Sequence, residues 1–288
     1  MSDYKHPEVL VSTDWASQHT DDPKVRLVEV DVDTTSYDKG HIANAIAWNW
    51  TSQLQDNVRR DLLSQRQMEQ LLGNSGISNS TTVVLYGDNN NWFAAYALWQ
   101  LKYFGLNDAR LMNGGRKKWE LEGRPFTTAT PKFATTTYKA SVPDESLRAR
   151  RDRIFRVLDT REAYLVDVRS VDEFTGKIIA PAGMTETAQR GGHIPGAVSV
   201  TWSKASNDDG TFKSYDELVR LYESQGVRLG KEVIAYCRIG ERSSHSWFVL
   251  KYLLGFDEVR NYDGSWTEWG NLVDAPIEKG EAAAASGA

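Results

Sequence analysis

Short, nearly continuous runs of apolar residues recur along the chain, and a longer segment with helical character follows several of them. Four of these runs occupy residues 25–30, 83–86, 165–168 and 233–236. Apolar, β-branched runs of this length are typical of strands covered on both faces, as in mostly parallel sheets. The alternation of strands and helices therefore predicts an α/β fold, with helices flanking a mostly parallel central sheet.

Three longer stretches are predicted helices, and they occupy residues 92–104, 214–225 and 242–254. The second begins with a capping box, because Glu217 lies three residues after Ser214, and it ends before Gly226. The first and the third each follow a predicted strand, so they form an equivalent pair.

The chain contains the same series of motifs twice, in the same order. The matched pairs are 27–31 (Leu-Val-Glu-Val-Asp) with 165–169 (Leu-Val-Asp-Val-Arg), 41–45 with 193–197, 83–86 with 233–236, and Asn-Gly before Trp119 with Asp-Gly before Trp269. The offset is 138 residues at the first pair, 152 at the second and 150 at the last two, which indicates an insertion at about 177–190. A period this long predicts a duplicated domain, since solenoid repeats span about 20–50 residues.

The repeat divides the 288 residues into two domains of ordinary size. We predict a first domain at 1–128, a linker at 129–143, a second domain at 144–280 and a disordered tail at 281–288. The linker follows from a stretch rich in Thr, Ala and Pro, and the tail from a stretch rich in Ala.

The composition excludes disordered and collagen-like classes of protein. The chain is 40% hydrophobic and 25% charged, as in ordinary folded proteins, and its net charge of −5 gives no general attraction to nucleic acid. The arginines at 148–156 are interleaved with acidic residues, so a solvated helix face is favoured over a polyanion site. Because residues 1–10 lack an apolar signal region and no apolar run approaches the roughly 20 residues of a membrane span, we expect a cytoplasmic protein without membrane association.

The chain has a single cysteine, Cys237, which cannot form an intramolecular disulfide. It opens the segment 237–242 (Cys-Arg-Ile-Gly-Glu-Arg), between a predicted strand and a predicted helix. The carboxyl end of a parallel strand is where α/β sheets place ligands, and loop amides at a helix start form an anion-binding nest. With Arg238 and Arg242 nearby, the nest predicts a thiol pKa below the free value of about 8.5 and a nucleophilic thiolate. The alternative is a small buried hydrophobe, and Gly240 with the two arginines favours the nest.

Four motifs together resemble the rhodanese family of sulfurtransferases. They are the Cys-Arg-x-Gly-x-Arg loop, His-Ile-Pro-Gly-Ala at 193–197, Asp-Val-Arg at 167–169 and Asp-Gly-Ser-Trp at 263–266. The resemblance spans residues 9–278, and it is closest to tandem rhodaneses in which only the second domain keeps the cysteine. Gly87 stands in the place of Cys237, so the resemblance implies an inactive first domain and a catalytic second one.

The resemblance implies a double displacement. The Cys237 thiolate would take the outer sulfur of thiosulfate as a persulfide and release sulfite, and cyanide, a small thiol or a thiol-bearing protein would then accept that sulfur. No metal and no organic cofactor is expected.

The candidate site residues follow from the same resemblance. Cys237 is the predicted nucleophile. The predicted substrate-binding residues are Arg238, Ile239, Gly240, Glu241, Arg242 and Ser243 of the loop, with Lys177 and Arg190 from the insertion. The predicted supporting residues are Asp167, Arg169, Trp92 and Phe93. His41 and His193 recur in both halves, which indicates a role in turn architecture.

Two departures from the thiosulfate-specific pattern keep a second donor open. Those relatives have a lysine where this chain has Ile239, and a second cation where it has Glu173. The alternative is a 3-mercaptopyruvate sulfurtransferase, but such relatives carry small neutral residues in place of Arg238 and Arg242. The basic loop therefore favours thiosulfate, with Arg242 as the source of the missing charge.

Three further alternatives differ in class. A cysteine phosphatase with this fold needs a Cys-x5-Arg loop, whereas this chain has Cys-x4-Arg from Cys237 to Arg242, a tighter nest suited to one sulfur. A non-catalytic binding module fits the first half better than the second. A sulfur relay to another protein would use the same persulfide, so the sequence does not separate it from free-standing catalysis.

Overall fold

The computed structural model describes residues 4–183 and 187–280. They form two compact units. The N-terminal unit consists of Glu8–Asp144 and Ser206–Phe212, and the C-terminal unit of residues 4–7, 145–205 and 213–280. Both units have the predicted α/β architecture. The sequence repeat gave no indication that 206–212 belongs with the N-terminal unit, and the predicted tail at 281–288 lies outside the described residues.

The N-terminal unit is built on a parallel five-stranded sheet in the order β1-β5-β4-β2-β3. Its strands are β1 (Leu10–Val11), β2 (Val25–Asp31), β3 (Ile46–Asn49), β4 (Thr82–Tyr86) and β5 (Ala109–Met112). Its α-helices are α1 (Thr13–Gln18), α2 (Thr35–Lys39), α3 (Trp50–Gln53), α4 (Gln65–Asn74), α5 (Trp92–Tyr103) and α6 (Gly115–Leu121).

The C-terminal unit is built on a parallel four-stranded sheet in the order β7-β6-β8-β9. Its strands are β6 (Ala163–Asp167), β7 (Val198–Ser199), β8 (Glu232–Tyr236) and β9 (Val259–Tyr262). Its α-helices are α7 (Arg151–Thr160), α8 (Val171–Thr175), α9 (Tyr215–Glu223), α10 (Glu241–Phe248) and α11 (Ser265–Trp269). Short 3₁₀ helices in the two units span Pro7–Val9, Asn89–Asn91, Glu145–Leu147 and Trp202–Ala205.

The four apolar runs form the central strands, as predicted. Every residue of β2 and of β8 is buried, which is the burial that a strand covered on both faces requires. The capping box of α9 is present, with Ser214 and Glu217 bonded reciprocally. The predicted helix at 242–254 differs, because α10 gives way at Val249–Leu253 to a π-helix. Hydrophobic periodicity does not distinguish these two helix types over a single turn.

The two units fix the equivalent turns at 41–45 and 193–197 in the same way. The Tyr86 hydroxyl accepts the Ile42 N–H at 3.3 Å, and the Tyr236 hydroxyl accepts the Ile194 N–H at 3.1 Å. The rings of His41 and His193 stack on Tyr37 and Phe174, each with centroids 3.7 Å apart. Both histidines are buried in these turns, in agreement with an architectural role.

A buried carboxylate in each unit is bound by an arginine that comes from a different place in the chain. In the N-terminal unit, Arg116 of α6 bonds Glu29 at 2.8 Å and the Gly40 carbonyl at 2.7 Å. In the C-terminal unit, Arg169 bonds Asp167 and the Gly192 carbonyl, both at 2.6 Å.

The sequence repeat shows which residues change between the two bridges. Trp266 stands at the position equivalent to Arg116, and the Arg169 guanidinium lies 4.3 Å from the centre of its ring. The same carboxylate-to-carbonyl bridge is thus built in both units, and in both the arginine faces an aromatic ring, since the Arg116 guanidinium lies 4.5 Å from the centre of the Phe126 ring.

The segment at 129–143 has no regular secondary structure, but it is held to the N-terminal unit. The Thr136 N–H donates to the Gly73 carbonyl at 3.0 Å, the Lys139 N–H donates to Asn79 at 2.9 Å, and Tyr138 is buried. It therefore belongs to that unit rather than standing apart as a linker.

The arginines at 148–156 mostly face carboxylates. Arg148 bonds both oxygens of Asp263 at 2.8 Å, and Arg153 bonds Glu162 and Glu232. This pairing is in keeping with a structural surface. Among the helices of the described residues, none combines the length and apolar character needed to cross a membrane.

We expect Arg169→Met to lower the free energy of unfolding by about 3–5 kcal/mol, because it leaves the fully buried Asp167 without its cation. Denaturant unfolding followed by tryptophan fluorescence measures the change. The double variant Asp167→Asn/Arg169→Met removes both charges and should recover a large part of the loss. A loss below about 1 kcal/mol in the single variant would contradict this account of the bridge.

Candidate active site

Cys237 directly follows β8, which lies between β6 and β9 in the sheet. Its side chain is fully buried. The chain then turns through Gly240, whose φ of +102° is reached at little cost only by glycine, and enters α10 at Glu241. The cysteine loop predicted at 237–242 is therefore shorter in the structure, since Glu241 and Arg242 already belong to the first turn of α10.

The start of α11, which follows β9, holds the backbone of the cysteine. The Ser265 hydroxyl accepts the Cys237 N–H at 3.0 Å, and the Trp266 N–H donates to the Cys237 carbonyl at 3.0 Å. Thr267 donates to the Arg238 carbonyl from its N–H at 3.0 Å and from its hydroxyl at 2.8 Å. These bonds explain why the Asp-Gly-Ser-Trp motif accompanies the cysteine.

A buried polar network supports the loop from β9. Asn261 donates to the Gly240 carbonyl at 3.0 Å and accepts the Ser243 hydroxyl at 2.6 Å. The Ser244 hydroxyl donates to the same Gly240 carbonyl at 2.7 Å. Because these polar atoms are buried and bonded to one another, they fix the position of Gly240 and the start of α10.

Gly240, Ser243 and Glu241 contact the sulfur atom. The Gly240 N–H donates to Sγ at 3.1 Å, and the Ser243 hydroxyl lies 3.5 Å away. The thiol itself donates to Glu241 Oε2 at 3.2 Å. The sulfur therefore accepts from a backbone N–H, lies near a hydroxyl donor and donates its own proton to a buried carboxylate.

The expectation of a lowered thiol pKa was wrong. Burial raises the pKa of Cys237 above its ordinary value, and the negative charge of Glu241 raises it further. Arg242 and the hydrogen bonds of Ser243 lower the pKa, but by less. The nest is present, but full burial and a neighbouring carboxylate outweigh it, so the resting group is the thiol.

The two loop arginines lie close to carboxylates. Arg242 bonds both oxygens of Glu173, at 2.9 and 3.0 Å, and both side chains are buried. Burial acts to raise the pKa of Glu173, but the hydrogen bonds and charge of Arg242, with smaller effects of Ser170 and Arg169, together lower it. Arg238 Nη2 and Arg242 Nε lie 3.9 and 3.7 Å from Glu241 Oε1. The sequence predicted that Arg242 supplies positive charge for binding an anion. In the structure, Glu173 already matches that charge.

The insertion residues are engaged elsewhere. Arg190 donates to the carbonyls of Gly270, Ala275, Trp269 and Leu272. Lys177 is 72% exposed and lies 3.2 Å from Asp172. Ile239 is buried and adds no charge to the loop. Roles for Lys177 and Arg190 in substrate binding stay predictions.

Asp167 and Arg169 reach the cysteine indirectly. Their ion pair is fully buried, the Arg169 guanidinium stacks on Trp266, and the Trp266 N–H holds the Cys237 carbonyl. Their predicted supporting role stays a prediction, and this chain of contacts gives it a physical route.

Trp92 and Phe93 begin α5 in the N-terminal unit. Phe93 is buried, and its ring centre lies 5.3 Å from that of Trp50 and 5.1 Å from that of Trp92. Their predicted supporting role stays a prediction.

Gly87, the counterpart of Cys237, has no room for a side chain. A Cβ there would lie 2.5 Å from the Val30 carbonyl oxygen and 2.9 Å from Asp31 Oδ1. The Gly87 N–H is instead bonded to Asn91 at 2.9 Å. The N-terminal unit therefore differs from the catalytic candidate in the packing of its loop as well as in the missing sulfur.

Sequence reasoning missed several residues that position the sulfur: Glu173, Asn261, Ser265 and Thr267. Ser265 lies inside a motif that the sequence singled out, so its motif was a usable signal. The sequence analysis noted Glu173 only because thiosulfate-specific relatives have a cation at its position. Its partner, Arg242, lies 69 residues away. A separation of that size gives no local pattern.

Comparison with known proteins supports the same fold. Residues 12–122 and 152–272 each match the family described as "Rhodanese-like domain". A Haloferax volcanii protein named "Putative thiosulfate sulfurtransferase" is 56% identical over 284 residues, which are 97% of this chain and 99% of the relative. A Saccharopolyspora erythraea protein of the same name is 57% identical over 272 residues, 94% and 96% of the two chains. "Sulfur carrier protein TtuD" of Thermus thermophilus is 56% identical over 283 residues, 96% and 99%.

Solved structures with the same fold include EanB and an anaerobic ergothioneine biosynthesis enzyme. One is a variant with a cysteine persulfide, in a tetrahedral intermediate state with ergothioneine. The other is the anaerobic ergothioneine biosynthesis enzyme of Chlorobium limicola with trimethyl histidine, its natural substrate. Each has a TM-score of 0.86 and 25% identity and covers 97% of this chain and 72% of the other. Two family matches that together span most of the chain, and relatives more than half identical over nearly its whole length, show that the protein belongs to the rhodanese family, with two rhodanese-like domains in tandem.

Proposed function

We propose that the protein is a thiosulfate sulfurtransferase that carries sulfane sulfur as a persulfide on Cys237. The observation that carries the proposal is the contact between Cys237 Sγ and the Gly240 N–H, 3.1 Å apart where the loop enters α10. A backbone donor in this position stabilises negative charge that develops on sulfur. The cysteine persulfide of EanB supports the same intermediate, and the names of the Haloferax and Saccharopolyspora relatives support thiosulfate as donor.

The reaction is a double displacement. Cys237 loses its proton, and the thiolate attacks the outer sulfur of thiosulfate. The sulfur–sulfur bond of thiosulfate breaks, sulfite leaves with the bonding electron pair, and a persulfide anion remains on Cys237. Cyanide or an acceptor thiolate then attacks the outer sulfur, and the Cys237 thiolate that leaves recovers a proton. Two displacements with a covalent intermediate replace one direct transfer.

One observation favours a second donor, 3-mercaptopyruvate. The charges of Arg238 and Arg242 lie beside Glu241 and Glu173, so the four side chains sum to zero. A neutral set gives a dianion less attraction than two unmatched arginines would give. Mercaptopyruvate carries one carboxylate and a transferable sulfur, and it suits such a site better on charge alone.

The acceptor is proposed as cyanide, a small thiol or a thiol-bearing protein. The name of the Thermus relative, a sulfur carrier, supports transfer to a protein.

A phosphatase is less well supported, because Arg242 bonds Glu173 through both terminal nitrogens instead of presenting them to a phosphate. We place the reaction in the cytoplasm on the basis of the sequence alone.

We expect the intact protein to gain about one sulfur atom in mass after incubation with thiosulfate, and to lose it when cyanide is added. Mass spectrometry of the wild type and of Cys237→Ser measures both steps, and the variant should gain nothing. A gain with mercaptopyruvate alone would move the donor to the alternative. No gain with either donor would contradict persulfide chemistry.

We expect Gly240→Ala to slow persulfide formation by about 10²-fold, the usual cost of losing one donor to a developing charge. A Cβ at Gly240 would lie 2.9 Å from Asp263 Cα, and alanine does not hold a φ of +102° without strain, so the N–H must move away from the sulfur. Rapid-quench mass spectrometry with thiosulfate gives the rate.

Gly230→Ala is the matched control for this prediction. Gly230 also has a positive φ, +89°, but no atom lies within 4 Å of its Cβ position. It should carry a similar backbone strain and leave the rate of persulfide formation unchanged. Equal rates for both variants would mean that the Gly240 N–H does not act on the sulfur.

A further inference from the structure

The proton of Cys237 has a buried acceptor in direct contact. The thiol donates to Glu241 Oε2 at 3.2 Å, and Cys237 and Glu241 are 0% and 1% exposed. Attack on a donor sulfur requires the thiolate, so this proton must leave the sulfur before or during sulfur transfer. A carboxylate at hydrogen-bond distance satisfies the geometric requirement for a general base.

The surroundings are arranged for a charge that moves between the two side chains. When the proton passes from Cys237 to Glu241, the negative charge passes to the sulfur and the total charge stays the same. The sulfur side already has the Gly240 N–H at 3.1 Å and Ser243 as donors. Arg242 stabilises either location, since it lowers the pKa of Cys237 and its Nε lies 3.7 Å from Glu241.

Charge balance in the persulfide state also favours a protonated Glu241. With the thiol, the charges of Arg238, Arg242, Glu173 and Glu241 cancel. A persulfide anion beside an ionised Glu241 would leave one uncompensated negative charge in a buried site, which is costly. If Glu241 holds the proton, the persulfide charge replaces that of the carboxylate and the balance is kept.

We propose that Glu241 is a catalytic residue that accepts the Cys237 proton as the donor sulfur is attacked, holds it while the persulfide exists and returns it when the Cys237 thiolate leaves. This rests on the proposed function. In the first step the Sγ–H bond breaks and an O–H bond forms on Glu241, a sulfur–sulfur bond forms at Cys237, and sulfite leaves with the electron pair of the broken bond. In the second step the acceptor bonds the outer sulfur, the Cys237 thiolate leaves, and the proton returns to it.

Other charged groups facing this pair are themselves matched. Arg238 from the loop and Arg242 from α10 flank Glu241, and Glu173 of α8 bonds Arg242. On the β9 side, Asp263 lies behind Gly240 and is bonded by Arg148. Beyond Trp266, Arg169 is bonded to Asp167.

The test compares two quantities between about pH 6 and about pH 10, a range that crosses the ordinary pKa of a thiol, about 8.5. The first is the single-turnover rate of persulfide formation with thiosulfate, by rapid-quench mass spectrometry. The second is the thiolate fraction, from the ultraviolet absorbance difference between each protein and the same protein carrying Cys237→Ser. The proteins are the wild type, Glu241→Gln, Glu241→Asp and, as a matched control for loss of a carboxylate, Glu223→Gln on the exposed end of α9.

In the wild type we expect a rate that is nearly independent of pH while the thiolate fraction changes. The thiol–carboxylate pair and the thiolate–carboxylic acid pair contain the same number of protons, so their ratio does not depend on pH. In Glu241→Gln the rate should follow that variant's own thiolate fraction, rising about tenfold per pH unit below its thiol pKa. Glu223→Gln should match the wild type, and Glu241→Asp should keep the flat profile at a lower rate because its carboxylate is one CH₂ shorter.

A wild-type rate that follows the wild-type thiolate fraction, as in Glu241→Gln, would overturn the role of Glu241 and leave the persulfide function standing. This comparison within the wild type holds even if Glu241→Gln does not fold. If the wild type forms no persulfide with thiosulfate or mercaptopyruvate, the proposed function and the role of Glu241 fall together.

Discussion

The candidate active site depends on holding one sulfur atom, without contact with solvent, between a backbone donor and a carboxylate. Cys237 is fully buried, with the Gly240 N–H at 3.1 Å and Glu241 Oε2 at 3.2 Å. A reactive sulfur needs a nearby positive potential, whereas a buried one resists ionisation. The structure meets both demands by surrounding the sulfur with donors and by placing its proton on a hydrogen bond to a carboxylate that is itself flanked by arginines. The start of α11 and the network around Asn261 keep these atoms in place.

The duplicated fold shows which features belong to the scaffold and which to the chemistry. Both units connect a buried carboxylate to a glycine carbonyl through an arginine. In both, a tyrosine hydroxyl also binds the equivalent turn, at 41–45 or 193–197. Only the C-terminal unit moves that arginine to Arg169 and uses the vacated position for Trp266, which holds the Cys237 carbonyl. In the N-terminal unit the loop closes tightly over Gly87, where a Cβ would meet the Val30 carbonyl. At Gly87 both the cysteine and the space for its side chain are absent.

Much of this could be predicted from the sequence, because strand burial and internal repetition leave local patterns. The runs at 25–30 and 233–236 are strands since apolar side chains cover both faces, and the capping box at Ser214 is a feature of four consecutive residues. The pKa of Cys237 was predicted in the wrong direction, because Arg238 and Arg242 are visible in the loop whereas burial and the bond to Glu173 arise only on folding. The association of 206–212 with the N-terminal unit and the π-helix at Val249–Leu253 likewise depend on packing rather than on periodicity.

The most direct test of the central claim is a crystal structure of the protein after treatment with thiosulfate. The account predicts one additional sulfur atom about 2.0 Å from Cys237 Sγ, the length of a sulfur–sulfur bond, with the Gly240 N–H and the Ser243 hydroxyl still directed at the pair. An unmodified Cys237 under conditions that turn over thiosulfate, or a covalent sulfur on any other residue, would contradict it.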